Sequence, residues 1–437
     1  MTQLTRTELI ADFLRKGNPR DKWRVGAEFE RHVLALKSGA PIPYRDALEP
    51  ALERIAAMPG SLATREDGRI IAIAAPWGAL TLEPGGQVEL SGRPHASLAA
   101  VRDEAVLFHD IVQQVTGDQW VQLGLGYTPF ASLEAIEWVP KGRYGIMRDH
   151  LSKTGALAHN MMKGTCATQA SFDYFDEEDC ARKVSLAAAI APVVLALTAN
   201  SPYTEGRANG FMSVRGHIWL DTDPARTGLP DAAQQFSFER WVDYLLDVPL
   251  LFRRDAQGEW LSGGADETFR GWLEDPSHPP DRSDWTLHQT SIFPEVRVKG
   301  QIEVRSPDAT PLPHAMAAVA LYTAVLYDPE SLREAVDWVK HWWQPSARRS
   351  ALESAARHGL QGTLHGVPAL ELAGNLLNIA RRGLHRLGET GEDWLAPLSD
   401  SVDSGRCPGR ALLEVCGPEP RVDELLRCSA YLPEPPR

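Results

Sequence analysis

Cysteine is scarce in this chain, whose 437 residues include only five, at Cys166, Cys180, Cys407, Cys416 and Cys428. An odd number is a poor basis for a disulfide framework, and no two of these cysteines form a C-x-x-C pair. The cysteine content therefore predicts free thiols in a reducing compartment. It excludes the small, disulfide-rich class of secreted domains.

Positive charge is also in short supply, because 45 lysines and arginines face 58 aspartates and glutamates, and the formal net charge is −13. This balance disfavours nucleic acid or an anionic membrane surface as the main partner. The N-terminus lacks the charged and then apolar segments of a signal peptide. The most apolar run, residues 184–199, is too short for a membrane span and contains Pro192, so it predicts a buried helix. We therefore expect a cytoplasmic protein.

Several common catalytic motifs are absent from the sequence. No G-x-x-x-x-G-K-[ST] is present, which excludes a P-loop enzyme, and no G-x-G-x-x-G follows a strand to bind a dinucleotide. H-E-x-x-H and G-x-S-x-G are missing as well. We reject Cys166 as a nucleophile because no recognisable signature pairs a histidine with it. If the protein binds a nucleotide, metal ions held by carboxylates have to bind the phosphates.

The sequence does contain three strand-like segments with carboxylates on one face, Val25–Glu30, Thr81–Leu90 and Val296–Arg305. In the first, Glu28 and Glu30 are two residues apart, so both side chains leave the same face of a strand. One solvated strand alternates in the same way. Three such segments together predict a site for two or more Mg²⁺ ions.

The second segment places Glu83 and Glu89 an even number of residues apart. Between them, Pro84-Gly85-Gly86 has two interpretations: a kink in an edge strand, or a place where a phosphate or metal approaches the backbone. The third segment has apolar residues on one face and a charged or polar face made of Arg297, Lys299, Gln301, Glu303 and Arg305.

Arg305 follows Glu303 by two residues and is placed to contact a phosphate whose metal ion Glu303 holds, with a solvated salt bridge between the two as the alternative. We expect Glu303 to lie in an exposed cleft. Residues 211–219 read as a strand with Arg215 and His217 on one face. Arg215 is suited to bidentate capture of a substrate carboxylate, whereas a lone histidine in this position is more often structural.

A set of motifs occurs in colinear order along the chain, at Val25-Gly-Ala-Glu-Phe-Glu30, Leu82-Glu-Pro-Gly-Gly-Gln-Val-Glu-Leu-Ser-Gly92, and residues 140–148, 161–169, 199–228, 242–249 and 292–297. Together these motifs resemble those of the plant-type glutamate–cysteine ligase family, the carboxylate–amine ligases that make γ-glutamylcysteine. The resemblance covers nearly the whole chain, and as a set the motifs are highly specific.

The resemblance implies an α+β fold in which a curved, mostly antiparallel sheet forms a funnel-like cleft backed by helices, as in glutamine synthetase and the guanidino kinases. It also implies a reaction. ATP phosphorylates the γ-carboxylate of glutamate, and the amine of cysteine attacks the resulting acyl phosphate, while Mg²⁺ offsets the charge on the phosphates.

The resemblance further implies roles for single residues by their position in the motifs. Arg305 contacts the transferred phosphate and acts with Glu303 in catalysis. Arg215 holds a substrate carboxylate, and Asn209 and His217 are candidates near the same site. Glu89 also takes part in binding the nucleotide. The metal ligands implied are Glu28, Glu30, Glu83, Glu89 and Glu303.

The chain departs from the family pattern beside the expected substrate pocket, which makes Gly164 and Ser171 candidate substrate-binding positions. Gly164 stands where the family typically has arginine, and Ala170-Ser171 stands where it has Val-Asn. Losing a guanidinium that pairs with an anionic substrate costs about 2–5 kcal/mol of binding unless it is replaced. Lys163 would point to the opposite face of a strand. Gly216 and Ser306 replace a serine and a glycine of the family pattern.

These observations predict one catalytic body over residues 1–437, with a mostly helical region at 329–400 and a Pro- and Gly-rich tail at 401–437. We expect a monomer or homodimer that uses ATP and Mg²⁺ to join glutamate to cysteine. An alternative keeps the acyl-phosphate mechanism with a different carboxylate or amine. A third hypothesis, from another class, is a non-catalytic homologue that binds an amino acid or a nucleotide.

Overall fold

The computed structural model of the protein describes residues 4–255, 257–264, 266–342 and 345–432. Its longest strand, Val25–Ala35, alternates as the sequence predicts, because Val25, Ala27 and Phe29 are buried while Glu28 and Glu30 lie on the other face.

The strands are β1 (Val25–Ala35), β2 (Leu62–Glu66), β3 (Arg69–Ala75), β4 (Gly78–Leu82), β5 (Val88–Ser91), β6 (Trp120–Leu123), β7 (Thr168–Phe172), β8 (Tyr203–Thr204), β9 (Arg207–Ala208), β10 (Phe252–Arg254), β11 (Trp260–Ser262), β12 (Val296–Val298), β13 (Ile302–Val304), β14 (Thr363–Leu364) and β15 (Val367–Pro368). Within the described residues, nine of them form one sheet in the order β12-β13-β7-β1-β5-β4-β3-β2, and β6 pairs with the second half of β1. Every pairing in this sheet is antiparallel.

The helices are α1 (Arg6–Arg15), α2 (Glu49–Ala56), α3 (Leu98–Thr116), α4 (Gly142–Leu151), α5 (Ala158–Gly164), α6 (Glu177–Thr198), α7 (Val214–Trp219), α8 (Asp231–Gln234), α9 (Phe238–Asp247), α10 (Phe269–Glu274), α11 (Arg282–Gln289), α12 (Leu312–Tyr327), α13 (Pro329–Val339), α14 (Pro345–His358), α15 (Ala369–Leu387), α16 (Ala396–Ser404), α17 (Pro408–Cys416) and α18 (Val422–Cys428). Helices α3, α6 and α12 pack against the sheet, and α12 also packs against α13 and α15. The sheet is therefore backed by helices, as expected.

Helix α6 contains nearly the whole apolar run at residues 184–199, and Asp176 caps it by accepting a hydrogen bond from the Asp179 backbone N–H. By length and composition alone α6 could cross a membrane, yet 83% of its most apolar window is buried inside the protein. Its apolar side chains belong to a continuous cluster of buried residues that extends from Leu4 to Tyr431. The helix is thus a core element, as predicted.

Residues 296–305 form a hairpin rather than the single strand that the sequence predicts. Strands β12 and β13 are joined by a turn in which Gly300 has a φ of +155°, a conformation that favours glycine. Arg297 pairs with Glu303 across the hairpin, and Val296 pairs with Val304. Residues that pair across a hairpin project from the same face of the sheet. The charged residues of the two strands therefore still share one face, and the apolar residues share the other.

The strand predicted for residues 211–219 is also wrong, since residues 214–219 form helix α7. Ser213 begins this helix by accepting a hydrogen bond from the Gly216 backbone N–H, a capping interaction that offsets the β-favouring Val214 and Ile218. Met161–Gly164 lies in helix α5 rather than in a strand. The predicted tail contains α17 and α18, and its last residues, 433–437, lie outside the described part of the chain.

Pro84-Gly85-Gly86 lies in the turn between β4 and β5, and the packing of this turn explains why a glycine is present. A Cβ atom on Gly85 would lie 2.8 Å from the Lys163 Cα and closer still to the Lys163 carbonyl oxygen. The Gln87 side chain accepts from the Gly85 backbone N–H at 2.9 Å and donates to the Thr165 carbonyl at 3.0 Å. Gly85 therefore permits close approach of the protein's own backbone, which fixes this turn against the end of α5.

Replacing Gly85 by alanine should lower the free energy of unfolding by about 1–3 kcal/mol, because the new methyl group overlaps backbone atoms that cannot move aside easily. Chemical denaturation followed by circular dichroism measures this change. Gly145→Ala in α4 is the matched control, since a Cβ there meets nothing within 4 Å. The control should raise stability by up to about 1 kcal/mol, and equal effects of the two substitutions would contradict the steric explanation.

Candidate active site

A cavity of about 300 Å³ opens on the polar face of the sheet. Strands β1, β5 and β7 contribute to it, and so do helices α4, α5 and α7 with Phe252 and Phe293. Its charged lining residues are Glu28, Glu30, Glu83, Glu89, Lys141, Arg143, Arg215, Arg297, Lys299 and Arg305. Four of the five carboxylates singled out in the sequence thus share one cleft.

Strand register explains why these carboxylates meet. Glu30 on β1 lies opposite Glu89 on β5, and Glu28 lies opposite Ser91 on the same strand. On its other side Glu28 faces Gln169 of β7. Glu28 and Glu30 leave the same face of β1. Because β1 pairs with β5, the carboxylates of the first two segments lie on one surface of the sheet.

Burial and mutual repulsion act together on these carboxylates. Burial, followed by the charges of Glu89 and Glu303, raises the pKa of Glu28 to about 8. Burial and the charges of Glu83 and Glu89 raise the pKa of Glu30 well above its ordinary value, and burial with Glu83 also raises the pKa of Glu89. Carboxylates that repel one another away from water need added positive charge to ionise together, and a divalent cation supplies it.

The donor set suits Mg²⁺, which binds carboxylate oxygens and completes its octahedral shell with water and phosphate oxygens. In the part of the chain that the structure describes, no three acidic, histidine or cysteine side chains converge closely enough to hold a metal ion by themselves. The described carboxylates thus do not form a closed metal cage, and they fit Mg²⁺ only where other oxygen ligands, such as water or phosphate, complete its shell.

Glu303 fits a metal site less well than the other four carboxylates. Its oxygens lie 2.5 Å from Arg297 Nε and 3.5 Å from both Lys299 Nζ and Arg305 Nη1. Although burial opposes ionisation, these cations hold the pKa of Glu303 well below its usual range. The side chain is 3% exposed, which corrects the expectation of an exposed position. Its role as a metal ligand stays a prediction from the resemblance.

Arg215 lies in α7, and two backbone carbonyl groups fix the position of its guanidinium. Its Nη1 donates to the Ser306 carbonyl at 3.0 Å and its Nη2 donates to the Arg305 carbonyl at 2.8 Å. The carboxylate of Asp308, which is fully buried, lies 3.6 Å from Arg215 Nη1. Arg215 is therefore fixed at the wall of the cleft, where it can meet a substrate carboxylate.

Asn209 and His217 are not among the residues that line the cleft, and their role near the substrate stays a prediction. The Asn209 side chain donates to the Ser201 carbonyl and accepts from the Phe211 backbone N–H, so it shapes the loop before α7. His217 stacks on Phe211 with ring centroids 4.4 Å apart. Two residues of separation place side chains on one face in a strand but on different faces in a helix, which is why Arg215 and His217 diverge.

Gly164 ends α5, and the ring of Tyr127 occupies the space beside it. A Cβ atom on Gly164 would lie 2.7 Å from the Tyr127 Cζ. Lys163 does not restore a cation at this point, because its Nζ donates to the Leu133 carbonyl and lies 4.9 Å from the centroid of the Trp138 ring. Neither Lys163 nor Gly164 therefore lines the cleft.

The other departures lie around the cleft rather than in its lining. Ser171 is on β7, paired with Gly26 of β1 and with Glu303 of β13. Gly216 packs in α7, where a Cβ atom would lie 2.9 Å from a Leu195 methyl carbon. Ser306 contributes its carbonyl group to Arg215.

Sequence reasoning missed Gln169, Lys141 and Arg143 as lining residues. Gln169 had an available signal, because it lies in a matched motif and shares its strand face with Ser171. Lys141 and Arg143 also lie in a matched motif, but they come from the start of α4, and no strand pattern connects them to the carboxylates.

Residues 24–428 match the family model of glutamate–cysteine ligase family 2. The chain belongs to this family. Glutamate–cysteine ligases from Brassica juncea and Arabidopsis thaliana are each 35% identical to it, over 420 and 437 residues. These alignments cover 94% and 97% of this chain and 81% and 83% of the relatives. The expectation of an ATP-dependent ligase of the glutamate–cysteine type is confirmed at the level of the family.

Two solved structures share the fold. Glutamate–cysteine ligase of Francisella tularensis in complex with AMP aligns with a TM-score of 0.59 at 13% identity, covering 93% of this chain and 87% of that one. A bifunctional glutathione synthetase of Pasteurella multocida aligns with a TM-score of 0.54 at 13% identity, covering 96% of this chain and 53% of that one. The predicted α+β architecture built on an antiparallel sheet is confirmed.

The expected cytoplasmic location is contradicted by the curated relatives, which are named as chloroplastic proteins. The inference failed because scarce cysteine indicates a reducing environment without singling out one compartment.

Replacing Glu303 by glutamine should lower the free energy of unfolding by about 3 kcal/mol, because removing one partner of a buried ionic cluster leaves the others uncompensated. Denaturant unfolding of the purified variant measures the loss. Glu334→Gln is the control, since Glu334 forms an exposed pair with Arg382, and it should change stability by less than about 1 kcal/mol. A Glu303 variant as stable as the control would mean that the three cations do not depend on this carboxylate.

Proposed function

We propose that this cleft forms γ-glutamylcysteine from glutamate and cysteine at the expense of ATP. The observation that carries the proposal is the arrangement of charge, in which a group of carboxylates and a group of cations line one cavity in a member of this ligase family. The AMP in the Francisella tularensis enzyme supports the use of a nucleotide.

The reaction has two steps. An oxygen of the γ-carboxylate of glutamate attacks the γ-phosphorus of ATP, and ADP leaves. The amine nitrogen of cysteine then attacks the acyl carbon, phosphate leaves, and the nitrogen loses a proton to give the amide. Phosphorylation is needed because a carboxylate by itself has only an oxide as its leaving group.

The carboxylate side of the cleft would hold Mg²⁺ through Glu28, Glu30, Glu83 and Glu89. Bound Mg²⁺ supplies positive charge that offsets the phosphate oxygens and the charge that develops during transfer. Burial first, and then the charges of the neighbouring carboxylates, raise the pKa values of Glu28, Glu30 and Glu89, which supports this assignment.

The cationic side would bind the transferred phosphoryl group. Arg305 lines the cavity and lies next to Arg297 and Lys299, so three cations can contact phosphate oxygens from one direction. Glu303 keeps these side chains together through its ion pairs. Arg215, anchored on two carbonyl groups, would capture the α-carboxylate of glutamate and so orient its γ-carboxylate toward ATP.

A second candidate function keeps this mechanism but uses a different carboxylate or amine. The observation that favours it is the Tyr127 ring beside Gly164, because it fills the position from which the family's arginine side chain would start. The substrate pocket of this chain therefore differs in shape and charge from the family pattern.

Purified protein with Mg²⁺, ATP and glutamate should release phosphate rapidly only when cysteine is added, and mass spectrometry should identify γ-glutamylcysteine. Chelation of Mg²⁺ with EDTA should abolish the release, because the carboxylates and the phosphates cannot share the cleft without it. Phosphate release with another acid or amine, and none with glutamate and cysteine, would support the second candidate. No release with any pair would leave the non-catalytic hypothesis.

Arg215→Lys should raise the KM for glutamate by about tenfold, because a lysine cannot reproduce the guanidinium fork that binds two carbonyls and a carboxylate at once. Initial rates at varied glutamate and saturating ATP measure the change. Arg381→Lys on the exposed face of α15 is the control and should leave KM unaltered. An unchanged KM in the Arg215 variant would move the carboxylate site elsewhere.

A further inference from the structure

We propose that Gln169 is a positioning residue, which joins the carboxylate of Glu30 and the guanidinium of Arg305 into one hydrogen-bonded unit. Through this unit, the metal-binding and phosphate-binding sides of the cleft keep a fixed separation. The inference rests on the proposed function, because it takes Glu30 to act on metal and Arg305 to act on phosphate.

The hydrogen bonds place Gln169 between the two groups. Its Nε2 donates to Glu30 Oε1 at 2.8 Å, and its Oε1 accepts from Arg305 Nη1. The other oxygen of Glu30 accepts from the Ala167 backbone N–H at 2.6 Å. Both oxygens of this carboxylate are thus held from the β7 side, one by the backbone and one by Gln169.

Glutamine is the residue type that this position requires. A carboxylate only accepts hydrogen bonds and a guanidinium only donates them, so the group between Glu30 and Arg305 needs a donor at one end and an acceptor at the other. A primary amide has both, and its orientation is fixed by its neighbours. The side chain is also 3% exposed, which means that little water competes for these hydrogen bonds.

The order of the strands in the sheet determines which two parts of the cleft this hydrogen-bonded unit connects. Strand β7 lies between β1, which carries Glu30, and β13, the strand that leads into Arg305. Gln169 therefore spans the boundary between the carboxylate and cationic sides of the cleft. Groups that orient metal ligands in this way typically contribute about 10–100-fold in metal affinity or activity.

The main test is Gln169→Met, which keeps the length of the side chain but removes both hydrogen bonds. We expect kcat to fall by about 10–100-fold while the KM for glutamate changes little. A second readout is independent of turnover: Mn²⁺ titration followed by electron paramagnetic resonance, with a non-hydrolysable ATP analogue present and without glutamate or cysteine, should show affinity weakened by about tenfold. Gln169→Glu should not restore kcat, because it accepts from Arg305 but has no donor for Glu30.

Thr168→Val is the matched control, because Thr168 is the neighbouring residue of β7, is equally buried at 3% and points to the opposite face. It should leave kcat and Mn²⁺ affinity unaltered. An equal loss in Thr168→Val would overturn the proposal in favour of general damage to the strand. A raised KM for glutamate with normal kcat in Gln169→Met would overturn it in favour of direct substrate contact.

The proposal and the proposed function fail in different ways. If the wild-type protein releases no phosphate from any substrate pair, the proposed function fails, while the Mn²⁺ titration still compares Gln169→Met with the wild-type protein. Equal Mn²⁺ affinity in the two proteins overturns the positioning role, whatever the activity.

Discussion

Charge on the polar face of the sheet is divided by strand order, and the rest of the site depends on this division. Glu28 and Glu30 on β1 and Glu89 on β5 lie on one side of β7, and the hairpin β12–β13 with its cations lies on the other. The two sides differ in how far their own charges are compensated by opposite charges. The cations have Glu303 among them, whereas burial and then the neighbouring carboxylates raise the pKa values of Glu28, Glu30 and Glu89. Only the carboxylate side therefore needs outside positive charge.

This asymmetry suits a polyphosphate bound with metal ions. A phosphoryl group in transfer is surrounded by negative oxygens, and stabilisation from several directions is most effective when the charges are fixed beforehand. The sheet provides fixed cations on one side, and under the proposed function its carboxylates on the other side would hold metal ions. Because both sides belong to one antiparallel sheet, with β7 between them, their groups are carried by regular strands rather than by flexible loops.

The sequence predicted the parts of this arrangement that follow from a two-residue period. The shared face of Glu28 and Glu30 follows directly from strand geometry, and the buried helix α6 follows from its long apolar run. Residues 296–305 kept their charged face although they form a hairpin, because the pattern continues through the turn. The helix at Arg215 was missed because β-branched and aromatic residues dominate a segment only six residues long, and the Ser213 cap decided its conformation.

Contacts between distant segments could not be predicted in this way. The carbonyl groups of Arg305 and Ser306 that anchor Arg215 are some ninety residues away in the chain. The two amide ends of Gln169 meet Glu30 and Arg305 only because β7 lies between β1 and β13. A pattern along one segment specifies a face, but the partner across the sheet depends on topology.

The environment of Gly164 shows how this chain accommodates its departure from the family pattern. The departure does not leave a gap, because Tyr127 fills the space and its hydroxyl accepts a hydrogen bond from Asn160 at 3.0 Å. A side chain added at 164 would have to displace a ring that is itself buried and bonded. The Tyr127 ring can therefore lie in this place only because residue 164 is a glycine and has no side chain. The cations that do line the cleft include Arg143 of α4 and Arg215 of α7, and neither depends on the space that Tyr127 fills.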